Sequence, residues 1–124
     1  MDKNFKKIIK IAKENKKVVA VALFGSSLKK NGRDIDLCIF LDKKYPNLDM
    51  SKERMVFLRE SGDNFDIQIF QQLPLYIRIR IIKDSKILYC SKIDSLYDIF
   101  INTINEFGFY KKIYDLYLKE VKDG

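Results

Sequence analysis

The stretch ALFGSSLKKNGRDIDLCIF, residues 22–40, joins two apolar runs through a polar segment. The first run ends at a glycine–serine pair, Gly25 and Ser26, and the second begins with two carboxylates, Asp34 and Asp36. Alternate residues of a strand point to the same side, so we expect the two carboxylates side by side at the start of an otherwise apolar strand. Like charges at that separation repel each other and cost stability unless a cation lies between them. The segment therefore predicts a cation site.

The type of cation follows from what the chain lacks. There is no histidine, which excludes histidine-based general catalysis and ordinary zinc sites. Mg²⁺, a hard cation, prefers carboxylate oxygens and water. A third carboxylate, Asp66, lies in another apolar run, FDIQIF at residues 65–70. If the two strands are neighbours, Asp34, Asp36 and Asp66 converge, and three acids can hold two ions about 3.5–4 Å apart.

The glycine–serine pair predicts a phosphate site beside these acids. A strand that ends in a small-residue turn before a helix exposes backbone N–H groups, which bind phosphate with help from the helix dipole. Gly25 lets a phosphate approach without a Cβ clash, and the Ser26 hydroxyl adds a donor. Each feature alone is common in loops. In the order strand, glycine–serine, helix, Asp-x-Asp, strand and third aspartate, they predict binding of a nucleoside triphosphate with its Mg²⁺.

Length and composition predict one domain spanning residues 1–124. Apolar residues make up 47% of the chain, enough for a core, but no run approaches the roughly 18–20 apolar residues of a membrane span. The lysine-rich N-terminus lacks the apolar segment of a secretory signal. We expect Cys38 and Cys90 to be free and mostly buried thiols, as in a cytoplasmic protein without membrane contact.

The net charge of +7 is concentrated near the N-terminus. Residues 1–17 contain seven lysines against Asp2 and Glu14, so this segment carries +5 and the rest of the chain +2. At helical spacing the lysines share one face of a helix over 3–16, opposite an apolar face. That basic face is either simply solvated or attracts an anionic partner, such as nucleic acid or an acidic protein. Without an aromatic–basic RNA-binding motif, nucleic acid is not predicted as a direct partner.

The remaining elements alternate between helices and strands. KKYPN is expected to be a loop, and a helix is predicted over 51–60 with Ser51 as its N-cap. A turn follows at residues 61–64. The helix would contact the core through Met55, Val56 and Leu58. Strands are predicted at residues 18–24, 35–41, 65–70 and 86–90.

The segment LPLYIRIRII, residues 73–82, fits two structures. Its alternation of apolar and polar side chains slightly favours a half-buried strand. Pro74 is also suited to the first position of a helix, where its missing N–H costs nothing. Leu75, Ile79 and Ile82 would share one face of that helix. The residues alone leave both structures open.

A long amphipathic helix is predicted from Asp94 to Phe107, interrupted at Gly108 and resumed over 109–121. The final segment carries apolar side chains on two adjoining faces, a sector too broad for a helix packed on one side only. Either both faces pack into this domain, or the segment is a protein-docking surface. The side chains are Phe109, Tyr110, Ile113, Tyr114, Leu116, Tyr117 and Val121.

The motifs Phe24-Gly25-Ser26, Asp34-Ile35-Asp36 and Asp66 together resemble the nucleotidyltransferase superfamily typified by DNA polymerase β, specifically its minimal nucleotidyltransferase (MNT) branch. The resemblance implies an α/β (α+β) nucleotidyltransferase fold: a small mixed β-sheet with helices packed against it and a long C-terminal helix. In that family the segment after the proline is helical, which favours a helix for residues 74–83.

The resemblance also implies an activity, the transfer of AMP from ATP to a hydroxyl. Asp34 and Asp36 would bind two Mg²⁺ ions, and Asp66 would complete one metal site and act as general base or orient the acceptor. Gly25 and Ser26 would hold the distal phosphates. In antitoxins of this branch the acceptor is a tyrosine of a HEPN-domain RNase toxin. The alternatives are an antitoxin that blocks its toxin by binding alone, and a subunit that modifies a small molecule or RNA. The oligomeric state is not predicted.

Overall fold

The computed structural model describes residues 3–25 and 35–123. The four strands are β1 (Val18–Phe24), β2 (Ile35–Leu41), β3 (Phe65–Ile69) and β4 (Lys86–Cys90). The α-helices are α1 (Lys3–Glu14), α2 (Asn47–Ser61), α3 (Leu75–Asp84) and α4 (Ile93–Asp123), and a 3₁₀ turn spans Phe70–Gln72. The short polar helix or turn expected after Gly25 lies outside the described residues.

The strands form one mixed sheet, as the resemblance implied, and their order is β3-β2-β1-β4. β1 is antiparallel to both β2 and β4, whereas β2 and β3 are parallel. A parallel pair needs a crossover connection, and α2 provides it between β2 and β3. This crossover lets β2, which carries Asp36, lie beside β3, which carries Asp66.

The sheet has a layer of helices on each face because apolar side chains of its central strands alternate between the two faces. α1 and α2 cover one face of the sheet, the first face, and α3 and α4 cover the opposite, second face. Phe40 of β2 joins the second layer, stacking on Phe70 with ring centroids 4.5 Å apart. Burying one such side chain contributes roughly 1.5–3 kcal/mol. The first core includes Ile8, Ala12, Leu37, Ile39, Phe57 and Ile67, and the second includes Cys38, Phe40, Phe70, Ile81 and Leu96.

The N-terminal helix is amphipathic, as predicted, and ends two residues before the predicted boundary. Ile8 and Ala12 of α1 are fully buried, while Lys6, Lys7 and Lys10 are exposed. The basic face of α1 is therefore a surface feature. Both cysteines are free, with Cys38 buried and Cys90 half-buried, as expected. No helix in the described ranges is long and apolar enough to cross a membrane.

The predicted start of α2 at Ser51 is wrong. α2 begins at Asn47, directly after Pro46, whose carbonyl accepts a hydrogen bond from the Met50 N–H at 3.1 Å. Proline carries no N–H and fixes its own φ, so it can begin the helix without a side-chain cap. Ser51 lies inside the helix, and its hydroxyl accepts a hydrogen bond from Gln72 at 3.1 Å.

The earlier start changes which residues of α2 face the core. Met50, Phe57 and Ser61 are its buried residues. Met55 and Val56, which were expected to contact the core, are exposed, whereas Leu58 does pack against it. The apolar residues of this segment did not reveal the buried face, because one of the buried residues is a serine, Ser61.

The ambiguous segment after Pro74 is a helix, α3, as the family resemblance implied. The Pro74 carbonyl accepts hydrogen bonds from the N–H groups of Ile77 and Arg78. α3 contacts α4 as well as the sheet. Its apolar side chains are consequently not confined to one stripe, and both Ile79 and Ile81 are buried. The alternating pattern thus arose from a helix with two neighbours. The strand before it, β3, ends at Ile69, one residue earlier than predicted.

The predicted interruption at Gly108 is also wrong, because α4 is continuous over 31 residues. One glycine inside a helix costs about 1 kcal/mol relative to alanine, which the surrounding helical residues offset. Arg78 of α3 forms an ion pair with Glu106 at 3.2 Å, close to the last point at which α4 contacts the rest of the fold. Every residue from Gly108 to Glu120 is exposed. Packing of this segment into the domain is therefore ruled out for residues 109–118.

Candidate functional site

Asp36 and Asp66 lie opposite each other on neighbouring strands. In the parallel pairing of β2 with β3, Asp36 is the partner of Asp66, next to the pair formed by Leu37 and Ile67. Adjacent strands run about 4.8 Å apart, and opposite residues project to the same face. Leu37 and Ile67 belong to the first core, so both carboxylates project from the other face, which α3 and α4 cover. The structure thus brings two of the predicted acids together.

Gly25 closes the same corner from the third strand. Phe24, the last residue of β1, pairs with Asp36, so Gly25 follows directly beside this carboxylate. Its φ of +66° is a left-handed conformation that glycine adopts without a steric penalty. A Cβ on residue 25 would lie only 2.8 Å from Oδ2 of Asp36. The corner therefore requires glycine for its backbone conformation and for its lack of a side chain.

Two neighbours that sequence analysis missed hold the Asp66 carboxylate. Gln68, two residues along β3 on the same face, donates a hydrogen bond from Nε2 to Oδ1 of Asp66 at 3.0 Å. Nη2 of Arg54, from α2, lies 3.9 Å from the same oxygen. Arg54 is itself anchored, because its Nε donates to the Ile67 carbonyl at 2.5 Å. Since both contacts use Oδ1, they leave Oδ2 for a ligand.

These two contacts orient the carboxylate more than they stabilise the fold. The Asp66 side chain is 48% exposed, and exposed ion pairs contribute about 0–1 kcal/mol. Gln68 was detectable from the sequence, because it lies two positions after Asp66 on the same strand. Arg54 carried no such signal, because its contact depends on how α2 crosses β3.

Cys38 lies two residues after Asp36 on the same face but does not belong to the site. It is fully buried, and burial raises the pKa of its thiol well above the usual value. A thiol that stays protonated is a poor nucleophile and a poor metal ligand. Among the described residues of this corner, the candidate metal ligands are therefore the carboxylate oxygens.

The donors present suit a hard cation such as Mg²⁺. Within residues 3–25 and 35–123, no three His, Cys, Asp or Glu side chains are grouped closely enough to hold a metal ion. The third predicted acid, Asp34, and the predicted phosphate donor, Ser26, both lie outside these ranges. The described part of the site consists of Gly25, Asp36 and Asp66, with Gln68 and Arg54 behind the last of these.

Residues 6–94 match the model of the family described as "Polymerase beta, Nucleotidyltransferase". This chain belongs to the polymerase β nucleotidyltransferase family. The matched range contains all four strands and the site residues Gly25, Asp36 and Asp66. It ends at the start of α4, so nearly all of this long helix lies outside the family match. The family predicted from the glycine–serine and Asp-x-Asp motifs is confirmed.

Among curated relatives, this chain is 32% identical over 81 residues to a candidate protein adenylyltransferase of Methanocaldococcus jannaschii. The aligned region covers 63% of this chain and 61% of the relative, which is less than two thirds of the relative's length.

Two solved complexes contain chains with the same fold. One is a tri-AMPylated HEPN toxin of Shewanella oneidensis with its MNT antitoxin; the similar chain is 18% identical, with 95% of both chains covered and a TM-score of 0.65. The other is a toxin–antitoxin complex with AMP-PNP, at 19% identity, with 94% and 96% of the two chains covered and a TM-score of 0.66. At these identities the comparison establishes the nucleotidyltransferase fold, with its mixed sheet and long final helix.

Proposed function

We propose that this protein is a Mg²⁺-dependent adenylyltransferase of the cytoplasm that transfers AMP from ATP to a tyrosine of a HEPN-domain RNase toxin and thereby acts as its antitoxin. The observation that carries the proposal is the register pair of Asp36 and Asp66, facing the Gly25 corner. The M. jannaschii relative supports a protein acceptor. The complexes with an AMPylated HEPN toxin and with AMP-PNP support the toxin and the nucleotide.

The ligand set follows from the positions of the acids. Asp34, Asp36 and Asp66 would hold two Mg²⁺ ions, and Gly25 and Ser26 would bind the distal phosphates through backbone N–H groups and a hydroxyl. When bound, the ions neutralise charge on the triphosphate and on the departing pyrophosphate. The close approach of Gly25 to Asp36 supports this assignment, because a phosphate bound at Gly25 would lie beside a carboxylate-held ion.

The transfer itself is a displacement at the α-phosphorus of ATP. The acceptor oxygen forms a bond to this phosphorus while the bond from phosphorus to the bridging oxygen of the β-phosphate breaks, and pyrophosphate leaves. Asp66 would serve as general base, accepting the hydroxyl proton, or orient the acceptor. Because Gln68 and Arg54 hold Oδ1 of Asp66, Oδ2 is the oxygen that would contact the ion or the acceptor hydroxyl.

The test is transfer of label from α-labelled ATP to the HEPN-domain protein encoded in the same genome. We expect Asp36→Ala to abolish labelling and to leave the far-UV circular dichroism unchanged. Asp98→Ala is the matched control, because Asp98 is an exposed acid on α4 outside the site. We expect this control to label normally.

Each other outcome has a distinct meaning. Persistent labelling by Asp36→Ala would exclude the proposed carboxylate site. A wild-type protein that inhibits the RNase without labelling it would be an antitoxin that acts by binding alone. Label recovered on RNA or on a small molecule, and not on the HEPN protein, would identify a different acceptor class.

A further inference from the structure

The second half of α4 presents an apolar surface that the rest of the described chain leaves uncovered. We call residues 109–118 the overhang, because all of them are exposed while Leu96, Ile99 and Phe100 in the first half pack on the sheet. Exposed fractions within it range from 40% at Leu118 to 68% at Phe109. Contiguous apolar patches of this extent mark interaction sites. The large apolar side chains are Phe109, Tyr110, Ile113, Tyr114, Leu116, Tyr117 and Leu118.

No remaining segment of the 124 residues has the composition to cover the overhang. Residues 26–34, SSLKKNGRD, are the one stretch longer than two residues that lies outside the described ranges. Leu28 is its single large apolar residue. One leucine cannot bury seven large side chains. Residues 26–34 therefore cannot cover the overhang.

The shape of the surface argues against a second copy of this chain. Viewed down the helix axis at 3.6 residues per turn, the seven apolar side chains occupy an arc of roughly 200°. Leu116 and Leu118 lie at its two edges. A seam between two helices covers about 100°. An antiparallel pair of overhangs would therefore leave about half of the apolar surface exposed to water. A groove formed by several elements of a different protein would cover all of it.

The polar side of the overhang and the residues next to it carry both signs of charge, with Lys111, Lys112 and Lys119 against Asp115 and Glu120. We therefore expect the groove that receives the overhang to have a polar rim of mixed charge.

We infer that the overhang inserts into an apolar groove with a polar rim on the protein that supplies the acceptor hydroxyl. This inference rests on the proposed function, which requires such a protein. Seven partly exposed side chains offer on the order of 800 Å², the share that each partner buries in a standard interface. Tyr110 and Tyr114 stack with their rings 6.4 Å apart and nearly parallel, so they present two adjacent aromatic side chains to a partner.

The overhang and the acids belong to different elements, and α4 begins at the end of β1 away from Asp36. Asp36 pairs with Phe24, the last residue of β1. Cys90, which lies just before α4, pairs with Ala20, near the first residue of β1. Loss of overhang contacts is therefore expected to raise the KM for the partner and to leave the kcat at saturating partner and the affinity for nucleotide unchanged.

The experiment compares two double variants that remove the same side chains at similar exposure. Tyr110→Ser/Tyr117→Ser alters the overhang, and Tyr76→Ser/Tyr97→Ser alters exposed tyrosines of α3 and the first half of α4. The probe is the purified HEPN-domain protein of the same genome, with affinity measured by calorimetry and transfer by AMP labelling. We expect about 100-fold weaker binding for the overhang variant and wild-type binding for the control. Binding of an AMP-PNP probe should be equal in both.

The outcomes separate this inference from the proposed function. Equal partner affinity of the two variants would overturn the inference while labelling still supported the function. Wild-type protein that binds without labelling would overturn the function, and the affinities would still test the overhang. Wild-type protein that neither binds nor labels would overturn both. Sedimentation of the free chain at about 100 µM should give a monomer, and a dimer lost in the overhang variant would show that a second copy is the occupant.

Discussion

Gly25 and Asp36 pack so closely that a Cβ on residue 25 would lie 2.8 Å from the Asp36 carboxylate. The contact follows from the pairing of β1 with β2, which sets Phe24 opposite Asp36. Asp66 is set opposite Asp36 by the pairing of β2 with β3. Strand register alone therefore brings a left-handed glycine and two carboxylates from three strands to one corner.

The substitution Gly25→Ala is expected to remove AMP transfer. Alanine in a left-handed conformation costs about 1–2 kcal/mol, and its Cβ would displace the Asp36 carboxylate by steric contact. We expect labelling of the HEPN-domain protein to be lost and the free energy of unfolding to fall by about that amount. The labelling assay together with urea denaturation measures both effects.

Gly62→Ala provides a control that also strains a positive-φ backbone position, but away from the acids. Gly62 has a φ of +82°, and a Cβ there would meet Nδ2 of Asn4 at 3.3 Å. We expect this variant to lose stability but to label normally where it is folded. Equal loss of labelling in the two variants would mean that strain, and not the contact with Asp36, removes the activity.

The part of the site that the sequence predicted is the part that depends on strand periodicity. Asp36 and Asp66 each stand at the start of an apolar run, and the intervening segment is long enough for the crossover helix that a parallel pair requires. The juxtaposition of Asp36 with Asp66 was therefore foreseeable. The metal and phosphate roles assigned to these residues, and to Asp34 and Ser26, stay predictions.

Features that depend on packing between elements were not foreseeable. Arg54 reaches Asp66 only because of the way α2 crosses β3. The start of α2 was misplaced because Pro46, and not a polar side chain, precedes the helix. The breadth of the apolar sector over 109–118 was evident from the sequence, but its exposure depends on where the sheet and α3 end.

Gln68→Leu is expected to lower the rate of AMP transfer without unfolding the protein. The substitution removes the hydrogen bond to Oδ1 of Asp66 but keeps a side chain of similar size. Substitution of a residue that orients a metal-binding carboxylate typically costs about 10–100-fold in activity or metal affinity. Labelling rates measured over a Mg²⁺ titration would detect either effect.

The matched control for this position is Gln72→Leu. Gln72 also donates side-chain hydrogen bonds, to Ser51 and to the Asn47 carbonyl, but it lies after the opposite end of β3. A wild-type rate and Mg²⁺ dependence in Gln68→Leu would contradict the role assigned to this hydrogen bond. For Gln72→Leu, in contrast, we expect a wild-type rate and a wild-type Mg²⁺ dependence.

The two thiols are expected to react at very different rates. Burial raises the pKa of Cys38, so its thiol stays protonated and shielded from reagent, whereas Cys90 is half-buried near the surface. At pH 8, a disulfide reagent such as Ellman's should modify one thiol of the native protein and the second only after denaturant is added. Two thiols of equal reactivity would indicate that the second core opens readily.

The raised pKa of Cys38 also gives the sign of a pH effect. A thiol whose pKa is higher in the folded than in the unfolded protein binds its proton more tightly when folded. Its contribution to stability is fully present below the ordinary value of 9.0 and is lost as the pH rises above it. In Cys38→Ala, the fall of the free energy of unfolding above pH 9 should therefore be smaller than in the wild type.

Gly108→Ala is expected to stabilise α4. A Cβ at this position would meet no described atom within 4 Å, and alanine is about 1 kcal/mol better than glycine inside a helix. The far-UV circular dichroism signal at 222 nm and the free energy of unfolding should both increase. A more rigid overhang should also bind the partner more tightly, because less conformational entropy is lost on docking. Weaker partner binding, with helicity increased, would mean instead that the partner approaches the backbone at Gly108 and needs the space that its missing side chain leaves.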